Sequence, residues 1–379
     1  MSCRSRAALQ RAAALALGVL AACLVAAAPA HAGGSWVVDT RGGGVGDNSD
    51  GRCDADPTNQ FLNPCTLTEA VAESHNQPGP TFISFNIDWH PGDALPIVTN
   101  AYVDLPAGSV IDGTGQAGYQ PGAPAISVSP SSSCSICAGI TTVGAPVLDS
   151  PPVLVKGINI TGFWDGVYAD RVNVKVEDST IRFNGRDGVH LQSVAWNEIR
   201  GSRIYGNSRY GIHLLHSNNN IVKGNRIGRT DASSIGNGQH GVYVEGSSSN
   251  TIGAAGEGNV ISGNGLIGLF IETTTDSFGV NHADNNVVRG NRIGTDVNGV
   301  ADFGNTTYGI WLYGNNNTIG GGNVASDIAN VVSGNDQGGV YLAGSSTLGL
   351  NNTVEGNRIG TDISGTAAVA NPDLSLIHI

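Results

Sequence analysis

The chain has 379 residues, including 55 glycines, with 19 Lys plus Arg set against 31 Asp plus Glu and a formal charge of −12. That acidic balance excludes nucleic acid as a partner and argues against unassisted binding of a polyanionic polysaccharide. The glycine content alone reads as disorder, but regularly spaced Ile, Val and Leu imply a packed core.

In chain order, residues 1–32 read as a secretory leader. Arg4, Arg6 and Arg11 form a basic start, Ala12 to Ala28 is an Ala/Leu/Val run, and Ala30-His31-Ala32 is a small-x-small cleavage pattern. The run is too short and too weakly apolar to be the preferred membrane span. "LAAC" at Leu20–Cys23 also fits a lipoprotein box, but the residues after Cys23 stay apolar, so cleavage and export is the expectation. Removing the leader takes away three arginines and no acids, which moves the formal charge from −12 to −15.

Cys53, Cys65, Cys134 and Cys137 remain. An even count in an oxidising compartment predicts two disulfides with three connectivities, the local one pairing Cys53 with Cys65 and Cys134 with Cys137. Zinc would use the same four, but the sequence offers no second Cys-x-x-Cys. Next, "CTLTEAVAESHN" contains a capping box, Thr66 with Glu69, and an apolar stripe of Leu67, Ala70 and Val71. A short amphipathic helix is predicted there, covering the strand edges of a solenoid.

From Gly162 onward one phrase recurs: "NGRDGVHL", "NSRYGIHL", "NGQHGVYV", "NGLIGLFI", "NTTYGIWL" and "NDQGGVYL", with a degenerate "GFWDGVYA" before them. Its Gly stands at 188, 211, 241, 268, 309 and 339, and "GNRIG" returns at Gly224, Gly290 and Gly356. Within the unit from Gly188, "GVHL", "WNEIRG" and "SRIYGN" are three short apolar pieces separated by turn residues. They predict one coil of a parallel β-helix of about 22 residues, not the helical periods of ankyrin or tetratricopeptide repeats. Asn184, Asn207, Asn237, Asn264, Asn305 and Asn335 then fall one above another, roughly 4.8 Å apart, as a hydrogen-bonded amide ladder.

"CTLTEAVAESHN", "VIDGTGQAGYQPGAPAISV", "NVISGN" and "GNRIGTD" together resemble the exported bacterial right-handed parallel β-helix proteins that open with a Cys-Ser-Leu-Arg-Glu-Ala motif. Thr68 departs from that motif, which usually has Arg there. The resemblance covers Gly33 to about Asp373 and implies an all-β, right-handed parallel β-helix in a secreted or cell-surface bacterial protein. It implies no particular activity. The domain reading is a leader at 1–32, cap and irregular first coils at 33–150, and regular coils at 151–373. Residues 374–379, "LSLIHI", match a translated sequencing adapter. The repeats are therefore expected to break off within a coil, ahead of a further C-terminal domain.

In "GVYV" the two aliphatics point inward, so the residue between them points out. Tyr168, His190, His213, Tyr243, Phe270, Trp311 and Tyr341 should thus form one outward stripe of rings, suited to stacking on a linear polysaccharide. The alternative is a ladder of rings that only stiffens the sheet, or a stripe covered by the insertions at Thr230–Ile235, Thr273–Asp284, Thr295–Asp302 and Val324–Ala329. Asp165 with Asp187, and Glu245 with Glu272, are stacked acid pairs beside it. Carboxylates roughly 5 Å apart suit a retaining glycosidase pair, and Tyr243 or His213 could serve as acid or base. Asp296, Asn298 and Asp302 in "DVNGVAD" have the alternating oxygens of part of a calcium loop, although a plain turn accounts for them too. No other cofactor is expected. Non-catalytic glycan binding is the leading expectation, ahead of a polysaccharide lyase, hydrolase or epimerase and of a passive stalk.

Overall fold

A computed structural model describes residues 34–38, 65–76, 79–87, 97–99, 103–121, 123–130, 137–143, 150–170, 172–229, 235–277, 279–322 and 327–372. The leader, Cys53, Cys134, Asp373 and the tail 374–379 lie outside them. Cys65 and Cys137 are each disulfide-bonded.

Short strands stack into three parallel sheets. The first sheet has 11 strands, from Ser35–Val38 to Thr353–Glu355; the second has 10, from Ile97–Thr99 to Arg358–Ile359. The third has 9, from Val103–Pro106 to Gly338–Leu342. One coil runs Val189–Gln192 in the third sheet, Glu198–Arg200 in the first and Arg203–Tyr205 in the second, then climbs to Ile212–Leu215. These are the three apolar pieces of the repeat, and the result is the expected parallel β-helix.

The core is a set of aliphatic columns. Val189, Leu191, Ile199 and Ile204 are fully buried and lie in register beneath Ile212, Leu214, Val222 and Ile227. Each apolar side chain removed from water contributes roughly 1.5–3 kcal/mol, and only the neighbouring coil can cover it.

The asparagine ladder forms and reaches Asn371, with Nδ2–Oδ1 distances of 2.9–3.1 Å at each step. Two more ladders stand at the other corners. One joins Asn197, Asn220, Asn250, Asn286, Asn317 and Asn352. The other joins Asn225, Asn259, Asn291, Asn330 and Asn357. Each amide oxygen also accepts the backbone N–H of the asparagine one coil earlier, as in Asn207 N to Asn237 Oδ1. Buried amides are thereby satisfied on both ends.

The phrase glycine is fixed by close approach. A Cβ on Gly241 would stand 2.5 Å from Ile261 Cγ2, 2.7 Å from the Gly268 carbonyl oxygen and 2.8 Å from Asn264 Nδ2. The corner before the second ladder takes the left-handed conformation at Trp196, Asn219, Ser249, Asn285, Asn316 and Asn351, and four of these six are Asn, which tolerates it best among non-glycine residues.

At the N-terminal end, the helix Leu67–Asn76 begins with the capping box: Glu69 N donates to Thr66 Oγ1 and Thr66 N donates to Glu69 Oε2. Leu67, Ala70 and Val71 are buried, and the helix packs on Val103–Pro106 and Ser35–Val38, the N-terminal edges of two sheets. Of the insertions, Thr273–Asp284 carries a small antiparallel hairpin, Thr274–Asp276 with Gly279–Asn281. Thr295–Asp302 closes as a turn through an antiparallel bridge between its ends.

Candidate functional site

The ring column lies on the third sheet, in register from strand to strand: Tyr168, His190, His213, Tyr243, Phe270, Trp311 and Tyr341. Its middle departs from the expected open stripe. His190 and His213 are 3% exposed and Tyr243 is 7% exposed, while Tyr168, Phe270, Trp311 and Tyr341 are partly exposed. The rings contact one another from coil to coil, stacked in the middle of the column and tilted or T-shaped toward its ends. His213–Tyr243 and Tyr243–Phe270 have centroids 5.1 and 5.0 Å apart and planes within 9° of parallel.

A second row covers them. The position just before the phrase glycine holds Asp165, Asp187, Tyr210, His240, Ile267 and Tyr308. Tyr210 packs against His213 and Tyr243, His240 against Tyr243 and Phe270, and Tyr308 against Trp311 and Tyr341. Sequence reasoning on this position took only its two acids. Two acids are followed there by two rings, an Ile and a third ring, so no single residue type marks the row.

The two candidate acid pairs behave differently. Asp165 and Asp187 are not an open pair facing a substrate, because both are buried and bound internally. Arg186 donates to both Asp165 oxygens, and Asp187 N donates to Asp165 Oδ1 at 3.1 Å. Asp187 Oδ1 accepts the Tyr210 N–H, and its Oδ2 lies 2.9 Å from His190 Nδ1 and 3.4 Å from His213 Nδ1. Glu245 and Glu272 are register neighbours and partly exposed. His213 Nε2 lies 2.9 Å from Glu245 Oε2, and the Tyr243 hydroxyl donates to Glu272 Oε2 at 2.6 Å.

The electrostatics follow from that packing. Burial alone would raise the Asp187 carboxyl, but the His190 and His213 imidazoles beside it outweigh that and hold it below the ordinary carboxylate range. Burial would lower His213, yet the carboxylates of Asp187 and Glu245 on either side raise it, and Glu245 is lowered in return. His190 moves the other way, lowered by burial and by the charges of His213 and Arg186. Burial also lowers His240, to about 4, helped by His213 and Arg209. Tyr243 is raised by burial and by its bond to Glu272, so its phenol stays protonated.

At the N-terminal end the column opens. Trp164, 38% exposed, lines a groove of about 430 Å³ with Asp165, Tyr168, Arg186, Gln192 and Thr141. Tyr168 donates to Gln192 Oε1 at 3.2 Å. Neither Trp164 nor Arg186 belongs to the ring column, and each is found only once the coils are closed.

The suspected calcium loop is closed by its own hydrogen bonds. Asp296 Oδ1 accepts the Val300 and Ala301 N–H groups, Asp296 Oδ2 accepts Asn298 Nδ2, and Asp302 Oδ1 accepts Gly304 N. Those bonds describe an Asp-initiated turn. Among the described residues, the only cluster of three or more metal-ligating side chains is Asp187, His190 and His213.

Among solved structures, a mannuronan C-5 epimerase A-module from Azotobacter vinelandii is 16% identical, over 73% of this chain and 83% of that one, with a TM-score of 0.40. The Dettilon tailspike protein is 13% identical, over 83% of this chain and 59% of its own, with a TM-score of 0.46. No curated protein matches the chain. The model of the right-handed β-helix region family matches residues 140–373, the span that carries all three ladders and the whole ring column, and the chain belongs to that family.

Proposed function

We propose that this is a carbohydrate-binding β-helix protein of the cell exterior whose sugar contact is the groove at the open end of the ring column. The observation that carries the reading is the convergence of two accessible rings, Trp164 and Tyr168, with the polar groups of Arg186 and Gln192 in one groove. The C–H face of a sugar packs on such rings, and the side groups offer donors and acceptors to its hydroxyls. The buried middle of the column stiffens the sheet and does not itself meet ligand. Affinity electrophoresis against neutral and acidic polysaccharides is expected to show retardation that Trp164→Ala plus Tyr168→Ala abolishes. A wild-type chain retarded by none of them, or a double variant retarded as strongly as wild type, overturns the reading and leaves a passive stalk.

A second reading is a polysaccharide lyase, hydrolase or epimerase using Glu245 and Glu272. It is favoured by two partly exposed carboxylates on adjacent strands, one bonded to an imidazole and one to a phenol. It requires new reducing ends, unsaturated products or an altered epimer ratio from some polymer, lost in Glu272→Gln.

A further inference from the structure

We propose that Asp187, His190 and His213 form a binding site for a divalent transition-metal ion of the zinc type, with Glu245 orienting His213. This does not depend on the sugar reading. Asp187 ends the turn before one coil's ring strand, His190 lies within that strand, and His213 is its register partner one coil on. Their ligand atoms all lie within 4.8 Å of one another, and all three residues are buried.

Three observations point to a cation. First, the bond from His213 Nε2 to Glu245 fixes the N–H of the neutral ring on that nitrogen and leaves Nδ1 as a lone pair; buried Nδ1 has no hydrogen-bond partner, although Asp187 Oδ2 stands 3.4 Å away. Two electron-rich atoms facing each other at that distance repel unless a positive charge lies between them. Second, the 2.9 and 3.4 Å separations from Asp187 Oδ2 to the two imidazoles bracket the roughly 3.3 Å edge of a tetrahedron with metal–ligand bonds of about 2.0–2.1 Å. Third, a carboxylate on the far nitrogen of a histidine is the outer contact that orients a ligating imidazole and raises its basicity.

Two imidazoles and one carboxylate suit zinc-like ions, not calcium or magnesium, which take oxygen ligands. The charges balance: the ion and Arg186 face Asp165, Asp187 and Glu245. Arg186 Nη2 stands 2.8 Å from His190 Nδ1, so the entering ion displaces that contact while Arg186 keeps its two bonds to Asp165. The rival occupant of the gap is a second proton on His213.

The test uses the full, tag-free chain, chelator-treated and then titrated with Zn²⁺. One equivalent is expected, with two imidazole neighbours in the X-ray absorption spectrum of the bound ion. His190→Gln and His213→Gln should weaken binding by at least about 100-fold and Glu245→Gln by about 10–100-fold, while His240→Gln leaves it unchanged. If a ligand variant fails to fold by circular dichroism, the wild-type spectrum decides. Failure of the folded wild-type chain to bind Zn²⁺, an ion with fewer than two imidazole neighbours, or unchanged affinity in folded His213→Gln overturns the proposal.

Discussion

The asparagine columns at the corners and the ring column on the third sheet are both products of repetition, yet one kind is uniform and the other varied. At an inner corner, an amide is surrounded by amides; only another Asn both accepts from the coil before and donates to the coil after, so the ladders tolerate almost nothing else. On the outer face a ring needs only a flat neighbour, and Tyr, His, Phe and Trp all serve. A column free to vary in chemistry while keeping its shape can gather a functional cluster, and here it gathers Asp187, His190, His213, Tyr243, Glu245 and Glu272.

The contrast is most severely tested at Asn264. Its Oδ1 accepts Asn237 N and Nδ2, and its Nδ2 donates to Asn305 Oδ1 and Ile227 O. Asn264→Ala strands several buried groups at about 1–3 kcal/mol each, so a loss of about 3–5 kcal/mol is expected from guanidinium denaturation. A loss below about 1 kcal/mol would remove the distinction between the two columns.

Acid should act on the varied column instead. His240 is buried and accepts the Ile267 N–H at 3.3 Å while neutral, with Arg209, His213, Tyr210 and Tyr243 around it. A folded value of about 4 against an ordinary 6.5 means its contribution is whole above pH 6.5 and lost as pH falls toward 4. The difference corresponds to a few kcal/mol at most. His213 is shifted upward, so its contribution is already whole below pH 6.5 and does not cancel the loss. Denaturation midpoints at pH 6.5 and 4.5 should therefore diverge in wild type and diverge less in His240→Gln, where the lowered His190 remains; an equal divergence in both would place the acid sensitivity elsewhere.

The smallest effect is expected at Tyr243→Phe, which keeps the stack on His213 and Phe270 and loses one bond to a partly exposed carboxylate. About 1 kcal/mol should be lost, since water reaches Glu272 and replaces the donor. A much larger loss would show that the hydroxyl, not the ring, holds this part of the column.

Much of the architecture was legible because a solenoid turns a sequence interval into a spatial step. The spacing of Asn184, Asn207 and Asn237 located a ladder, and "GVHL" announced which residue points out. The ladders through Asn220 and Asn225 were harder to see, since those asparagines follow turns of differing length. Burial of the rings was not legible at all. Whether His213 is open depends on Tyr210, which stacks in turn on His240 of the next coil, and neither shares its position in the phrase.

By itself the sequence determined the coil, its three short strands, the capping helix and which face each ring occupies, because alternation and period act through the nearest neighbours alone. The tertiary structure decided which outward groups stay in water and which acids spend their charge on internal partners. Those outcomes depend on side-chain reach across coils: Arg186 extends to Asp165 one coil below, and His213 lies between Asp187 and Glu245 from the coils on either side. No periodicity records that reach.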